Sequence, residues 1–186
     1  MNILQISFHT SPFGSVGKFD SGGLNVYVQQ ISKQLSNENN VTVVTAEKAE
    51  SFKIDNLEFH SLDLFESGLS VDDKEIYLLE FKKNLEEKFD LESFDIIHAH
   101  YGLSGLLATF QSFVPVVITF HGSDVNLNRT NFYLSFLASR LSDANIFVHE
   151  SLSKKLNLFS DKAEIIPCGV NLNLFKPIDK LASRDK

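Results

Sequence analysis

The sequence has 186 residues, 43% hydrophobic and 22% charged, which suits one globular domain able to bury a sizeable core. With 17 Lys and Arg against 24 Asp and Glu, the net charge is −7, which argues against a nucleic-acid binder though not against one local phosphate pocket. The single cysteine, Cys168, excludes an intrachain disulfide, and no apolar run approaches the ~20 residues needed to span a bilayer. A soluble, cytoplasmic protein is expected, with association at a membrane surface left open.

In chain order, Asn2–Phe8 is a continuous apolar run without a basic lead or cleavage site, so it reads as a first buried strand rather than a leader. His9–Gly22 is a loop rich in Gly, Ser and Pro. Gly23–Asn37 reads as a helix whose apolar stripe combines Val26, Tyr27, Val28, Ile31 and Leu35. Val41–Thr45 and Asn56–Leu62 follow as strands, and Asp72–Phe89 as one long charged helix with acidic residues at its positive end. Then strands at Phe94–His98, Val116–Phe120, Asn145–Val148 and Glu164–Ile166 alternate with helices at Leu103–Phe113, Asn131–Leu141 and Ser151–Leu158. This alternation predicts an α/β, Rossmann-like domain with a mainly parallel sheet and helices on both faces. With Phe used 17 times and Trp never, its core should be Phe-rich. From Pro167 to Lys186 the periodicity is lost.

Open α/β sheets bind ligands at the carboxyl ends of their strands. Histidine recurs there: at His9, at His98 and His100, at His121 and at His149. Ser21-Gly22-Gly23 stands between the first strand and the first helix. It reads as an anion site at the helix start or as a flexible turn with a cap. His98 and His100 share a face if the strand runs through both. They could serve zinc, but a zinc site needs further ligands, and a satisfied buried histidine competes as a reading. In His121-Gly122-Ser123-Asp124 the imidazole can meet a polar ligand, or Asp124 can simply cap the next segment. Glu150 reads equally as a general acid or base and as a residue at a helix start. No G-x-G-x-x-G follows the first strand and no G-x-S-x-G occurs, which argues against a nicotinamide dehydrogenase and an α/β-hydrolase.

Four segments, in order, resemble the retaining, group 1 (family four) glycosyltransferases of the GT-B fold. They are Asp20-Ser21-Gly22-Gly23-Leu24-Asn25-Val26-Tyr27-Val28, Asp95-Ile96-Ile97-His98-Ala99-His100, His121-Gly122-Ser123-Asp124, and Ile165-Ile166-Pro167-Cys168-Gly169-Val170 running on to Pro177. The resemblance implies two Rossmann-like domains facing a cleft. Residues 1–170 would be the acceptor-side domain, and residues 171–186 a linker or the start of the donor-binding domain. It further implies that Gly22 and Gly23 meet the donor diphosphate and that His121 is the catalytic group beside the donor sugar. Lys18, Asp20, Asn25, His100 and Tyr101 would face the acceptor, with Asp124 and Glu150 as further candidates. The nucleotide sugar is then a substrate, and neither cofactor nor metal is expected. The acceptor is a glycan, a lipid-linked molecule or a small hydroxyl compound.

Group 1 enzymes retain anomeric configuration without an evident protein nucleophile, so positioning and charge stabilisation should carry the chemistry. The family's donor-holding motif and its diphosphate-neutralising base belong to the second domain, and neither can be placed here. The expectation is therefore an acceptor-binding half, inactive alone. A stand-alone binding module, or half of a GT-B epimerase or phosphorylase, are the alternatives. Two departures stand out: Gly102 replaces a bulky aromatic of the mycothiol-forming branch, and Cys168 replaces an Asn.

Overall fold

The computed structural model describes residues 1–14, 22–156, 161–172, 175 and 177. Eight strands form one sheet: β1 (Asn2–Ile6), β2 (Asn40–Glu47), β3 (Phe52–Ile54), β4 (Leu57–Phe65), β5 (Ile96–His100), β6 (Val116–Phe120), β7 (Ala144–Phe147) and β8 (Ala163–Ile165). Their order is β3-β4-β2-β1-β5-β6-β7-β8, and every neighbouring pair is parallel except the edge pair β3–β4. The helices are α1 (Gly23–Leu35), α2 (Val71–Glu75), α3 (Leu78–Lys88), α4 (Gly102–Ala108), α5 (Ser123–Asn126), α6 (Arg129–Leu141) and α7 (Glu150–Lys155). The Rossmann-like α/β expectation holds.

Alternation along the strands gives the sheet two unlike faces. Leu4, Ile6, Val44, Ala46, Ile97, Ala99, Ile118 and Phe120 build the larger core with Phe8, Phe81, Leu85, Leu106 and Phe147. This is the Phe-rich core the composition predicted. The opposite face meets α1 through Ile3, Val41, Val43 and Phe59, with Val28 above them. It turns polar toward the middle of the sheet, where Gln5, His98, His100 and Thr119 are all buried. The core of α1 matches that polarity. Ser32 Oγ donates to Gln5 Oε1 at 2.5 Å, and Asn25 is 1% exposed. The apolar stripe expected on α1 is thus corrected: Asn25 and Ser32 point inward, while Val26 is 39% exposed.

Several boundaries also differ. The long helix expected over 72–89 is two helices. Ser70 caps α2 by accepting from the Asp73 N–H, and a tight turn at Ile76–Tyr77 packs Tyr77 against Phe65 before α3 begins. Helix α4 stops at Ala108 rather than near Phe113. The Gln111 amide accepts from Phe113 and Val114 N–H and donates to the Val114 carbonyl, turning the chain toward β6. Strand β5 runs on through His100. The short β3 and α5 were not expected. Among the described residues no helix is long and apolar enough to cross a membrane.

Candidate active site

The carboxyl ends of β1, β5 and β6 lie side by side at the centre of the sheet, so their terminal residues converge. His98 and His100 share a face of β5, as their spacing predicts, with ring centroids 4.3 Å apart. His98 Nε2 lies 2.8 Å from Thr119 Oγ1 on β6. His121, just past the end of β6, sits 5.8 Å from the His100 ring. Tyr27 reaches over from the second turn of α1 and meets His121 edge-on at 4.9 Å and His100 at 5.8 Å. Beside this group His9 packs on Tyr101 at 4.7 Å. Three of the four histidine-bearing strand ends therefore converge. The fourth stands apart: His149 is exposed, and its Nδ1 caps α7 by accepting from the Ser151 N–H.

Burial sets the charge of the cluster. Desolvation holds His98 and His121 at about 4, below their ordinary 6.5. His100 is held well below the ordinary value by desolvation and by its two imidazole neighbours. All three rings are neutral at pH 7, so they offer hydrogen bonds rather than positive charge. Both ring nitrogens of His100 and Nε2 of His121 are buried without a protein partner, so donors and acceptors remain to be met. Among the described residues, no group of three or more His, Cys, Asp or Glu is arranged to hold a metal.

The turn after β6 is built by Asp124. Its carboxylate accepts from the His121 N–H at 3.0 Å and the Gly122 N–H at 2.7 Å, and Gly122 takes φ +119°, a region that favours glycine. The Asp124 side chain is fully buried. Desolvation raises its pKa to about 6, against the pull of these amides and that of Gly102. Asp124 thus ties the β6 turn to the start of α4. Tyr101 is 6% exposed at φ +85°, a strained position for a side-chain-bearing residue. Burial drives its phenol up to about 12.

The remaining expected residues divide. Gly22 caps α1 with no side-chain bond to the helix, no acidic residue occupies the first turn, and open space surrounds the place a Cβ would take on Gly23. Asn25 is turned inward rather than toward an acceptor. Its amide nitrogen donates to the Ser11 carbonyl at 2.6 Å and its oxygen accepts from Thr10 Oγ1 at 2.9 Å, so it shapes the β1–α1 loop. Glu150 stands on the surface, paired with Lys154 at 2.8 Å, which lowers its carboxyl pKa. Lys18 and Asp20 lie outside the described residues. Sequence reasoning missed Tyr27, read as part of an apolar stripe, and Thr119, hidden in a β-branched run. It also missed Lys74, a buried lysine over the Phe65 ring at 5.6 Å.

Residues 21–174 match the model of Glycosyltransferase Family 4. D-inositol 3-phosphate glycosyltransferases of Thermobispora bispora and Stackebrandtia nassauensis are 26% and 29% identical over 98% of this chain, which spans 49% and 47% of their lengths. A sucrose-phosphate synthase from Thermosynechococcus elongatus shares the fold at a TM-score of 0.81 and 20% identity, covering 98% of this chain and 52% of that one. The Anabaena protein HepE, solved with UDP and glucose, does so at 0.63 and 17% identity, covering 98% and 48%. The chain thus spans about half the length of the curated relatives it matches, and it belongs to glycosyltransferase family 4.

Proposed function

We propose that this chain is the acceptor-side half of a retaining GT-B glycosyltransferase, which moves a sugar from a nucleotide-diphosphate sugar to a hydroxyl acceptor. The observation that carries the reading is the convergence of an uncapped α1 start with a neutral imidazole cluster at the carboxyl ends of β1, β5 and β6. Uncapped amides at a helix start suit a diphosphate, and the open space over Gly23 lets it approach. A neutral His121 suits a sugar hydroxyl, because it can bond without demanding a counter-charge. Asp124 is committed to the turn and Glu150 to Lys154, so neither of these two candidate carboxylates is offered as a nucleophile. That favours positioning over covalent catalysis, with departure of the nucleoside diphosphate and same-face entry of the acceptor hydroxyl.

On this reading the nucleotide sugar is a substrate, no cofactor or metal takes part, and the reaction is cytoplasmic. The donor-side groups come from a second Rossmann-like domain. In the protein carrying both halves, His121→Ala should lower kcat about 10²-fold, the scale for one lost transition-state hydrogen bond, with an unchanged thermal midpoint. Product analysis with a panel of nucleotide sugars reads the outcome. Full turnover in the folded variant would remove His121 from the chemistry.

A further inference from the structure

Among the described residues, no hydrogen bond anchors the His121 Nε2. The His121 backbone N–H is held by Asp124, and Gly122 behind it allows the backbone wide freedom. The direction of its imidazole must therefore come from packing. The ring meets two others, His100 and Tyr27. His100 is fixed in the sheet at 1% exposure, whereas Tyr27 arrives from a different layer, on α1.

Tyr27 makes two ring contacts that together form a clamp. Its ring lies edge-on to His121 at 4.9 Å with planes 75° apart, and to His100 at 5.8 Å and 71°. Burial pushes its phenol pKa up, and Thr119 counters part of that rise. Thr119 and His121 are two residues apart, so one face of the β6 end carries both. Thr119 Oγ1 is itself held 2.8 Å from buried His98. A phenol is long enough to engage both positions, and its two χ angles make it stiff.

We propose that Tyr27 is a positioning residue for His121, clamping the imidazole between α1 and the end of β6 by edge-on packing of its ring against His121 and His100. The inference rests on His121 acting at the donor sugar. It adds that the aim of His121 is set from the same helix whose start would receive the diphosphate. The ring of Tyr27 packs on His121 and His100, so the proposed role acts through His121.

The first test needs no activity. Histidine-selective NMR on this chain should show contacts between the Tyr27 ring protons and the His121 ring, and an imidazole at position 121 that titrates at about 4. The groups facing it are His98, His100 and Tyr27, with the Asp124 carboxylate on its backbone. Tyr27→Leu opens one side of the ring to water and should raise that titration by ~1 unit or more. Tyr27→Phe, which keeps the ring, should recover most of the difference. Absence of the Tyr27–His121 contacts in the unmodified chain would overturn the clamp, whether or not a variant folds. So would an unmoved His121 in a folded Tyr27→Leu.

In the two-domain protein, Tyr27→Leu should lower kcat about tenfold with donor KM within about twofold, and Tyr27→Phe should recover most of it. A loss confined to KM would count against positioning. Unchanged turnover in His121→Ala would instead overturn the functional reading, with the NMR result left standing, so the two failures are distinguishable.

Discussion

Between pH 4 and 6.5 the unfolded chain takes up protons on His98 and His121 that the folded chain refuses, because burial holds both imidazoles at about 4 against an ordinary 6.5. Stability from these groups is present above pH 6.5 and is lost as pH falls through the folded values. His100 acts in the same direction. Asp124 opposes them. Its carboxyl is raised from 3.8 to about 6, so over that range the folded chain keeps a proton the unfolded chain releases, and its contribution fades as pH rises. At least two imidazoles stand against one carboxyl, so unfolding takes up protons on balance around pH 5 and stability should rise toward neutrality. Urea midpoints measured from pH 4 to 7 test this, and His98→Gln should flatten the slope by about one proton. A midpoint independent of pH would show that the cluster is hydrated or already protonated in the fold.

At the level of elements, the tightest joint is where α4 meets α6. A Cβ on Gly102 would fall 1.9 Å from Ser135 Oγ and 2.9 Å from Ser135 Cα, so trimming Ser135 cannot make room and the helices themselves must move. Gly102→Ala should therefore destabilise by about 1–3 kcal/mol, the usual scale for overpacking, and Ser135→Ala should not rescue it. A neutral Gly102→Ala would mean that α4 and α6 stand further apart. The central strands were legible because apolar runs such as Val116–Phe120 must be buried. The helix ends were not, since they depend on single side chains. Gln111 ends α4, and the packing of Tyr77 on Phe65 divides α2 from α3. The site was legible in the same uneven way. His121 and the two glycines showed in motifs, whereas Tyr27 scores as apolar in any periodicity although its ring packs edge-on against His121.

For the molecule as a whole, charge decides what this half can do. Departure of a nucleoside diphosphate develops negative charge that must be met by donors or cations within the site. The converging imidazoles are held neutral by burial, so on the proposed reading they would contribute hydrogen bonds to that departure and no net charge. The chain spans about half the length of its curated relatives, and on the proposed reading the remaining length supplies the missing cation. The larger core is built within these residues, from Leu4 and Ile6 on β1 to Phe147 on β7 and Leu156 after α7. The 186-residue chain should accordingly unfold cooperatively on its own while transferring sugar at least about 10³-fold more slowly than the two-domain protein, the scale set by losing charge stabilisation of the leaving group. Adding a small cation such as guanidinium should restore little, because an unpositioned charge lacks the effective concentration of a fixed one. Comparable turnover by the isolated chain would place the charge-stabilising groups within these residues and overturn the division of labour between the two halves.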